Sequence, residues 1–335
     1  MMDYEIFKAV VKEKFLGYLP EEYKDAEIKV YPTKKINRTL DALAVLPEGR
    51  EQVFPTIYIN EMYEHYQSIG DLETILRGAA QQYARSAEMV KDRKPEDIMD
   101  DKMKDFKDNV IMCLINTEQN REILADVPHR AFHDLSVVYR WVIESTPDAV
   151  GSILVSNKVA EMAGMTEEEL FRHASKNTRE INPVRIRSMQ EVIFKEFSIP
   201  PEMQDMMFDQ DPMPANNMWV IGNESGINGA ASMLYEENLH QLAEKLGDSL
   251  FILPSSIHEV IAIPAEMAEG NLESMVGMVQ EINMSSLKLE ERLSNSVYHY
   301  DRDARKVTLA AESPEKRLDG KQAELPLIQE EKKTR

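Results

Sequence analysis

The stretch FILPSSIHEVIAIP, residues 251–264, holds two apolar runs separated by Pro254, Ser255, Ser256, His258 and Glu259. Whether that interruption is a turn or a catalytic constellation decides how the C-terminal third of the chain folds. Proline and serine favour turns, the one by fixing φ, the other by bonding its hydroxyl to nearby backbone. The flanking runs carry the β-branched and aromatic residues that suit a pleated surface. The pattern therefore favours two core strands joined by a turn.

If the residues after the turn are extended, alternate side chains share a face. Ser256 and His258 then fall on one side, and Ser255, Ile257 and Glu259 on the other. A serine two positions from a histidine can approach hydrogen-bond reach, as a nucleophile and its base require. Glu259 points away, however, and no strained strand-to-helix elbow presents the serine. Ser256, His258 and Glu259 are the candidate catalytic residues, set against the turn.

Outward from this stretch, MWVIGN is strand-like, ESGING a turn and AASMLYEENLHQLAEKLG a helix. SLFILP and HEVIAIP are the two strands, LESMVGMVQEINM a second helix, and SVYHYD with KVTLA a hairpin. Residues 218–310 thus predict an α/β layer of about five strands and two helices. In NESGINGA, residues 223–230, Gly226 and Gly229 suit positive φ and Asn228 suits a helix cap. A helix N-terminus can hold an anion, so Asn223, Gly226, Asn228 and Gly229 are candidate ligand contacts. Their spacing matches neither a dinucleotide fingerprint nor a phosphate loop.

Near the N-terminus, EIKVYPT, LDALAVLP and VFPTIYIN predict a small antiparallel meander followed by helices from Glu61 and Asp71, a block spanning residues 1–90. Tyr63 and Tyr66, beside Tyr58, could line a recognition groove or the rim of the core. KDRKPEDIMD, residues 91–100, reads as a linker around Pro95. In the block from 98 to 196, Met103, Phe106, Val110, Ile111 and Leu114 stand at helical spacing. HDLSVVYRWVIES and SILVSN predict a strand pair, and Thr166 with Glu169 forms a capping box.

Residues 197–217 hold four prolines and several methionines and read as a long loop able to form an adaptable surface. The tail 312–335 balances acids and bases with little apolar period, and is expected to be disordered. The fold class is α+β: a small antiparallel sheet with helices, a helical middle, and a C-terminal α/β layer.

At 335 residues, about two domains are expected. The only cysteine, Cys113, excludes an internal disulfide and points to a reducing compartment. It sits in VIMCLI, where a small buried apolar residue is the ordinary role. The start, with Phe7, Val10, Val11 and Phe15 at helical spacing among charges, is an amphipathic helix and no signal peptide. No run of about 18 apolar residues offers a membrane span, so a soluble cytoplasmic protein is expected.

A formal charge of -20 argues against nucleic acid as a partner. The best basic group, Lys176, Arg179, Arg185 and Arg187, is expected to be solvated or paired with acids. His129 and His133 in PHRAFHD are four apart, a ligand spacing on a helix, but Arg130 stands in the place of a zinc-protease glutamate. No metal site and no cofactor are expected.

The ordered segments PTIYINEMYEHYQ, DVPHRAFHDLSVVYRWVIE, MTEEELFRHASKNT, WVIGNESGINGAASMLY, LPSSIHEVIAIP and SNSVYHYDRD resemble a bacterial domain-of-unknown-function family numbered 5688, over roughly residues 1–310. The resemblance implies no chemistry, because that family carries no assigned activity. The expectation is a non-catalytic module binding an unknown protein or small ligand. The alternative is a hydrolase-like or transferase-like enzyme using Ser256 and His258 near the Gly226 to Gly229 turn.

Overall fold

Asp3 starts the first helix, α1 (Tyr4–Lys14), by accepting the Ile6 amide at 2.9 Å, the ordinary way a short acidic side chain satisfies an orphan N–H. The apolar face that the sequence shows is buried: Phe7 and Val11, with Phe15 in the following 3-10 turn, enter the core of the first unit. That unit is residues 1–106 in a computed structural model that describes residues 1–47, 55–90, 103–146, 149–200, 202, 217–254, 256–268 and 271–320. The second unit is residues 107–335.

The first unit carries the expected meander. Strands β1 (Glu27–Lys35), β2 (Arg38–Leu46) and β3 (Thr56–Tyr58) lie in that order, antiparallel. Asn37 makes the tight β1–β2 turn at φ 65°, a conformation asparagine tolerates better than most residues. Helices α2 (Ile59–Ile69) and α3 (Leu72–Val90) complete it, with Leu43, Val45, Ile59, Leu76 and Tyr83 in one core with α1.

Where helical spacing suggested a helix through Val110, Ile111 and Leu114, the chain makes only the single turn α4 (Phe106–Asn109) and then strand β4 (Val110–Asn116), buried along its whole length. A short continuous apolar run satisfies both periods, and only its neighbours choose between them. Here the neighbour is β6 (Leu135–Thr146), which pairs with β4, β5 (His129–Phe132) and β7 (Ala149–Leu154) in an antiparallel four-stranded sheet. The helix α5 (Arg121–Leu124) lies between β4 and β5 in sequence.

After α6 (Asn157–Met162), the capping box opens α7 (Glu167–Ile181), with both reciprocal Thr166 and Glu169 bonds formed. This helix is fastened to β4. Thr178 Oγ1 accepts the Met112 amide at 2.8 Å, and Asn177 donates to the carbonyls of Lys107 and Val110.

The last sheet has six strands, ordered β13-β12-β10-β11-β9-β8, all antiparallel. Five match the expected layer: β9 (Trp219–Asn223), β10 (Leu250–Leu253), β11 (Val260–Pro264), β12 (Val297–Asp301) and β13 (Lys306–Ala311). The sixth is β8 (Val184–Ser188), from INPVRIRS, whose alternating arginines hide a strand period; it is followed by α8 (Met189–Glu196). One helix was expected over residues 230–247. It divides into a 3-10 segment, Gly229–Leu234, and α9 (Glu236–Leu246), because Tyr235 is extended between them.

The two faces of this sheet follow from strand parity. Leu253, Ile263 and Val297 pack against Met275, Val276 and Val279 of α10 (Leu272–Ser286). The opposite face buries Ile221, Ile252, Val260 and Ala262, and there the 3-10 segment lies against β9, β11 and β4.

The tail departs from expectation at its start. Leu318 is 1% exposed, donates its amide to Gln119 at 3.2 Å and accepts Arg292 Nη1 at 2.7 Å. Ser313 donates its amide to Ser296. Composition cannot show this, because the partners are polar side chains distant in sequence. Residues 321–335, the linker 91–100 and most of the methionine-rich loop, 203–216, lie outside the described residues. Among the described residues no helix is long and apolar enough to cross a membrane.

Two substitutions test this account by urea unfolding. Leu318→Ala is expected to cost about 2 to 4 kcal/mol, as for a filled core position; no loss would return the segment to the solvent. Thr166→Ala is expected to cost about 1 kcal/mol through the lost cap.

Candidate functional site

The sequence candidates come together where the β10–β11 turn meets the loop after β9. Ser256 is buried, and its Oγ accepts the amides of His258 at 3.0 Å and Glu259 at 3.3 Å. Its own amide donates to the Glu259 carbonyl at 3.2 Å. Residues 256–259 are therefore a closed turn, and the extended parity expected for them does not apply. His258 Nδ1 accepts the Asn228 amide at 3.3 Å, which places the proton of the neutral ring on Nε2. Among the described residues no hydrogen bond joins Ser256 to this imidazole; Ser255 itself is not among them.

The facing loop is equally committed. Asn223 Nδ2 donates to the Ile227 carbonyl at 2.9 Å and its Oδ1 accepts the Ser225 hydroxyl. Gly226 has the expected positive φ, 68°, but at the next position of interest it is Asn228 that is left-handed, at 53°, and its side chain caps nothing. Gly229 is required for a different reason. A Cβ there would lie 2.4 Å from the His258 carbonyl oxygen and 2.8 Å from the Asn223 nitrogen. The Ala230 amide reaches the Ile257 carbonyl at 3.1 Å, so this amide and those of Ile227 and Asn228 already bond to protein.

The tyrosines fasten the chain's own start. Tyr63 donates to the Met2 carbonyl at 3.0 Å, the Met2 amide donates to the Tyr66 hydroxyl at 3.4 Å, and Tyr66 stacks on Phe7 with centroids 5.1 Å apart. His129 and His133 stand on β5 and in the following turn, with no helix between them. His129 Nδ1 is 3.0 Å from the Val127 carbonyl and His133 Nε2 3.3 Å from that of Val307. Of the basic group, Lys176, Arg179 and Arg185 pair with Glu180, Glu237 and Glu224. Burial pushes the Cys113 thiol up to about 12, which leaves it protonated and unreactive at neutral pH.

A concavity lies elsewhere in the second unit, beside the edge strand β5. It has a volume of about 490 Å³. Leu124, Val127, Ala160 and Met165 supply buried apolar lining, and His129, Asn157, Glu161 and Glu167 supply the polar side chains. Glu167 is held from behind: Arg130 reaches it through Nε at 3.1 Å and Nη2 at 2.9 Å, and the buried Tyr139 donates to it. Arg130 also reaches Glu168 at 2.5 Å and lies 3.9 Å above the Phe171 ring. Burial alone would raise the Glu167 carboxyl, but the bonds from Arg130 and Tyr139 outweigh it and hold the carboxyl below its usual value. Burial, then the Glu167 bond, drives the Tyr139 phenol far upward, so it remains a donor.

Sequence reading passed over Tyr139, Asn157, Glu161 and Glu167. The one local signal was the capping box, which sets Glu167 at the first turn of α7 next to a chain reversal. Among the described residues no cluster of histidine, cysteine or carboxylate side chains could hold a metal.

A family model described as a family of unknown function (DUF5688) matches residues 4–302, and the chain belongs to that family. No curated protein and no solved structure matches it.

Three variants probe this geometry. Gly229→Ala is expected to destabilise by about 3 kcal/mol or more, since backbone on both sides must move; His258→Ala, which leaves the Asn228 amide unpaired, by about 1 kcal/mol. The folded Glu167 carboxyl titrates below its ordinary value of 4.5. Its contribution is therefore complete above that pH and is lost as pH falls through the folded value. Urea midpoints between about pH 3 and 7 should show a shallower acid slope for Glu167→Gln than for the wild type; identical slopes would show that this carboxyl does not matter to stability.

Proposed function

We propose that this member of the family is a non-catalytic cytoplasmic binding module that takes a small ligand in the concavity between α5, β5, α6 and the start of α7. The carrying observation is the concavity itself. Its volume of about 490 Å³ falls in the range of small-molecule sites, and both apolar and polar side chains line it. The Arg130 and Tyr139 bonds to Glu167 hold one wall in a fixed geometry before any ligand arrives, which lowers the ordering cost of binding.

An enzyme built on Ser256 and His258 would need the imidazole to face the serine hydroxyl. Here both groups accept backbone amides, and moving either breaks the turn. The charge of -20 speaks against a nucleic acid in the same place.

A thermal-shift screen of small metabolites on the full chain tests the reading, because a ligand of the native state raises the melting temperature with its occupancy. Ala125 lines the concavity and is exposed, so Ala125→Trp should block the site without unfolding the protein. Hits are expected to lose their shift in this variant while its ligand-free melting temperature stays put. Hits indifferent to Ala125→Trp would place binding elsewhere, and turnover of a model ester abolished by Ser256→Ala in a still-folded protein would favour the enzyme.

A further inference from the structure

The polar side chains of this concavity present mostly acceptors, the second amide hydrogen of Asn157 being the donor among them. His129 donates Nδ1–H to the Val127 carbonyl, because a carbonyl can only accept, and the neutral ring is left with a lone pair on Nε2. Asn157 directs an amide hydrogen to the Ala125 carbonyl at 3.4 Å, while its backbone N–H goes to the Asp126 carbonyl at 2.9 Å. These bonds leave Asn157 Oδ1 as an acceptor. Glu161 is exposed and makes no ion pair among the described residues, and Glu167 is a carboxylate held ionised by Arg130 and Tyr139.

A ligand that meets two carboxylates, an imidazole lone pair and an amide oxygen must bring donors. Neutral hydroxyls supply one each, whereas an ammonium supplies three and carries the charge that complements Glu161. The lining from Leu124, Val127, Ala160 and Met165 offers an alkyl body somewhere to leave water. Among the lining residues an anion would meet two carboxylates and no lysine or arginine, and the nearby Arg130 is bound to Glu167 and Glu168.

We propose that the concavity lined by His129, Asn157, Glu161 and Glu167 binds a small organic ammonium, with the charged head among the acceptors and the alkyl chain against Val127, Ala160 and Met165. This rests on the binding-module reading and specifies its ligand class.

The experiment titrates the full chain with n-butylammonium chloride, n-butanol and sodium butyrate at constant ionic strength, following the methyl resonances of Ala160 and Met165. Saturable shifts are expected with the ammonium, about fivefold weaker binding with the alcohol and none with the carboxylate. Glu161→Gln should weaken the ammonium about fivefold and leave the alcohol unchanged. Equal or tighter binding of butanol or butyrate, or indifference of the ammonium to Glu161→Gln, overturns the ligand class while the site stands. If none of the three moves either methyl, and no screening hit responds to Ala125→Trp, the site itself fails and the ligand class with it.

Discussion

The His258 carbonyl oxygen occupies the place where any side chain on residue 229 would begin, and much of the second unit depends on that approach. With glycine there, the 3-10 segment Gly229–Leu234 can settle against the β10–β11 turn, its Ala230 amide on Ile257 and its Ser232 hydroxyl on the Gly222 carbonyl at 2.7 Å. The same segment lies against β4, so a contact between two turns also ties the six-stranded sheet to the four-stranded one. Ser256, His258 and Asn223 are used up in making it. Residue types that suggest chemistry in a linear reading serve here as the hydrogen-bond partners of an otherwise unpaired backbone.

A second polar joint ties the four-stranded sheet to the segment before β12. Asp134, after β5, accepts the Ser294 hydroxyl at 2.6 Å and the Tyr298 hydroxyl, and Asn116 at the end of β4 donates to the Leu293 carbonyl at 3.2 Å. Burial, then Asp134, raises the Tyr298 phenol well above its usual range, so the bond keeps its proton. Arg292 sits past the end of α10, where a cation suits the helix dipole, and bonds the carbonyls of Leu287 and Leu318. The idiosyncratic run RLSNSVYHYD is thus a corner of buried polar groups. Such groups are costly when unpaired and specific when paired.

These joints bear on function by subtraction. The glycine loop, the serine turn and the tyrosines are engaged in holding the fold, whereas the concavity beside β5 holds Glu161, which makes no ion pair among the described residues. Its rigid wall comes from Arg130, the residue that spoiled a metal motif in the linear reading. In the structure the guanidinium is the clamp on Glu167.

Periods were legible in the meander of residues 27–58 and the capped α7, where one face is wet, while the β6–β7 pair and the β10–β11 hairpin were legible from the turn residues between apolar runs. The run through Val110 and Leu114 was misread as helix because a strand buried on both faces has no period of its own. β8 was missed because its alternating arginines dilute the apolar pattern. By itself the sequence determined the α+β class, the family, the hairpin at residues 250–264 and the need for glycine in the loop before Ala230. Tertiary structure alone decided that Gly229 is needed for close approach and not for a positive φ, that residues 312–320 pack, and that Glu167 meets Arg130 and Tyr139. Those outcomes depend on atoms brought together across tens of residues or more, and no local spacing encodes such a meeting.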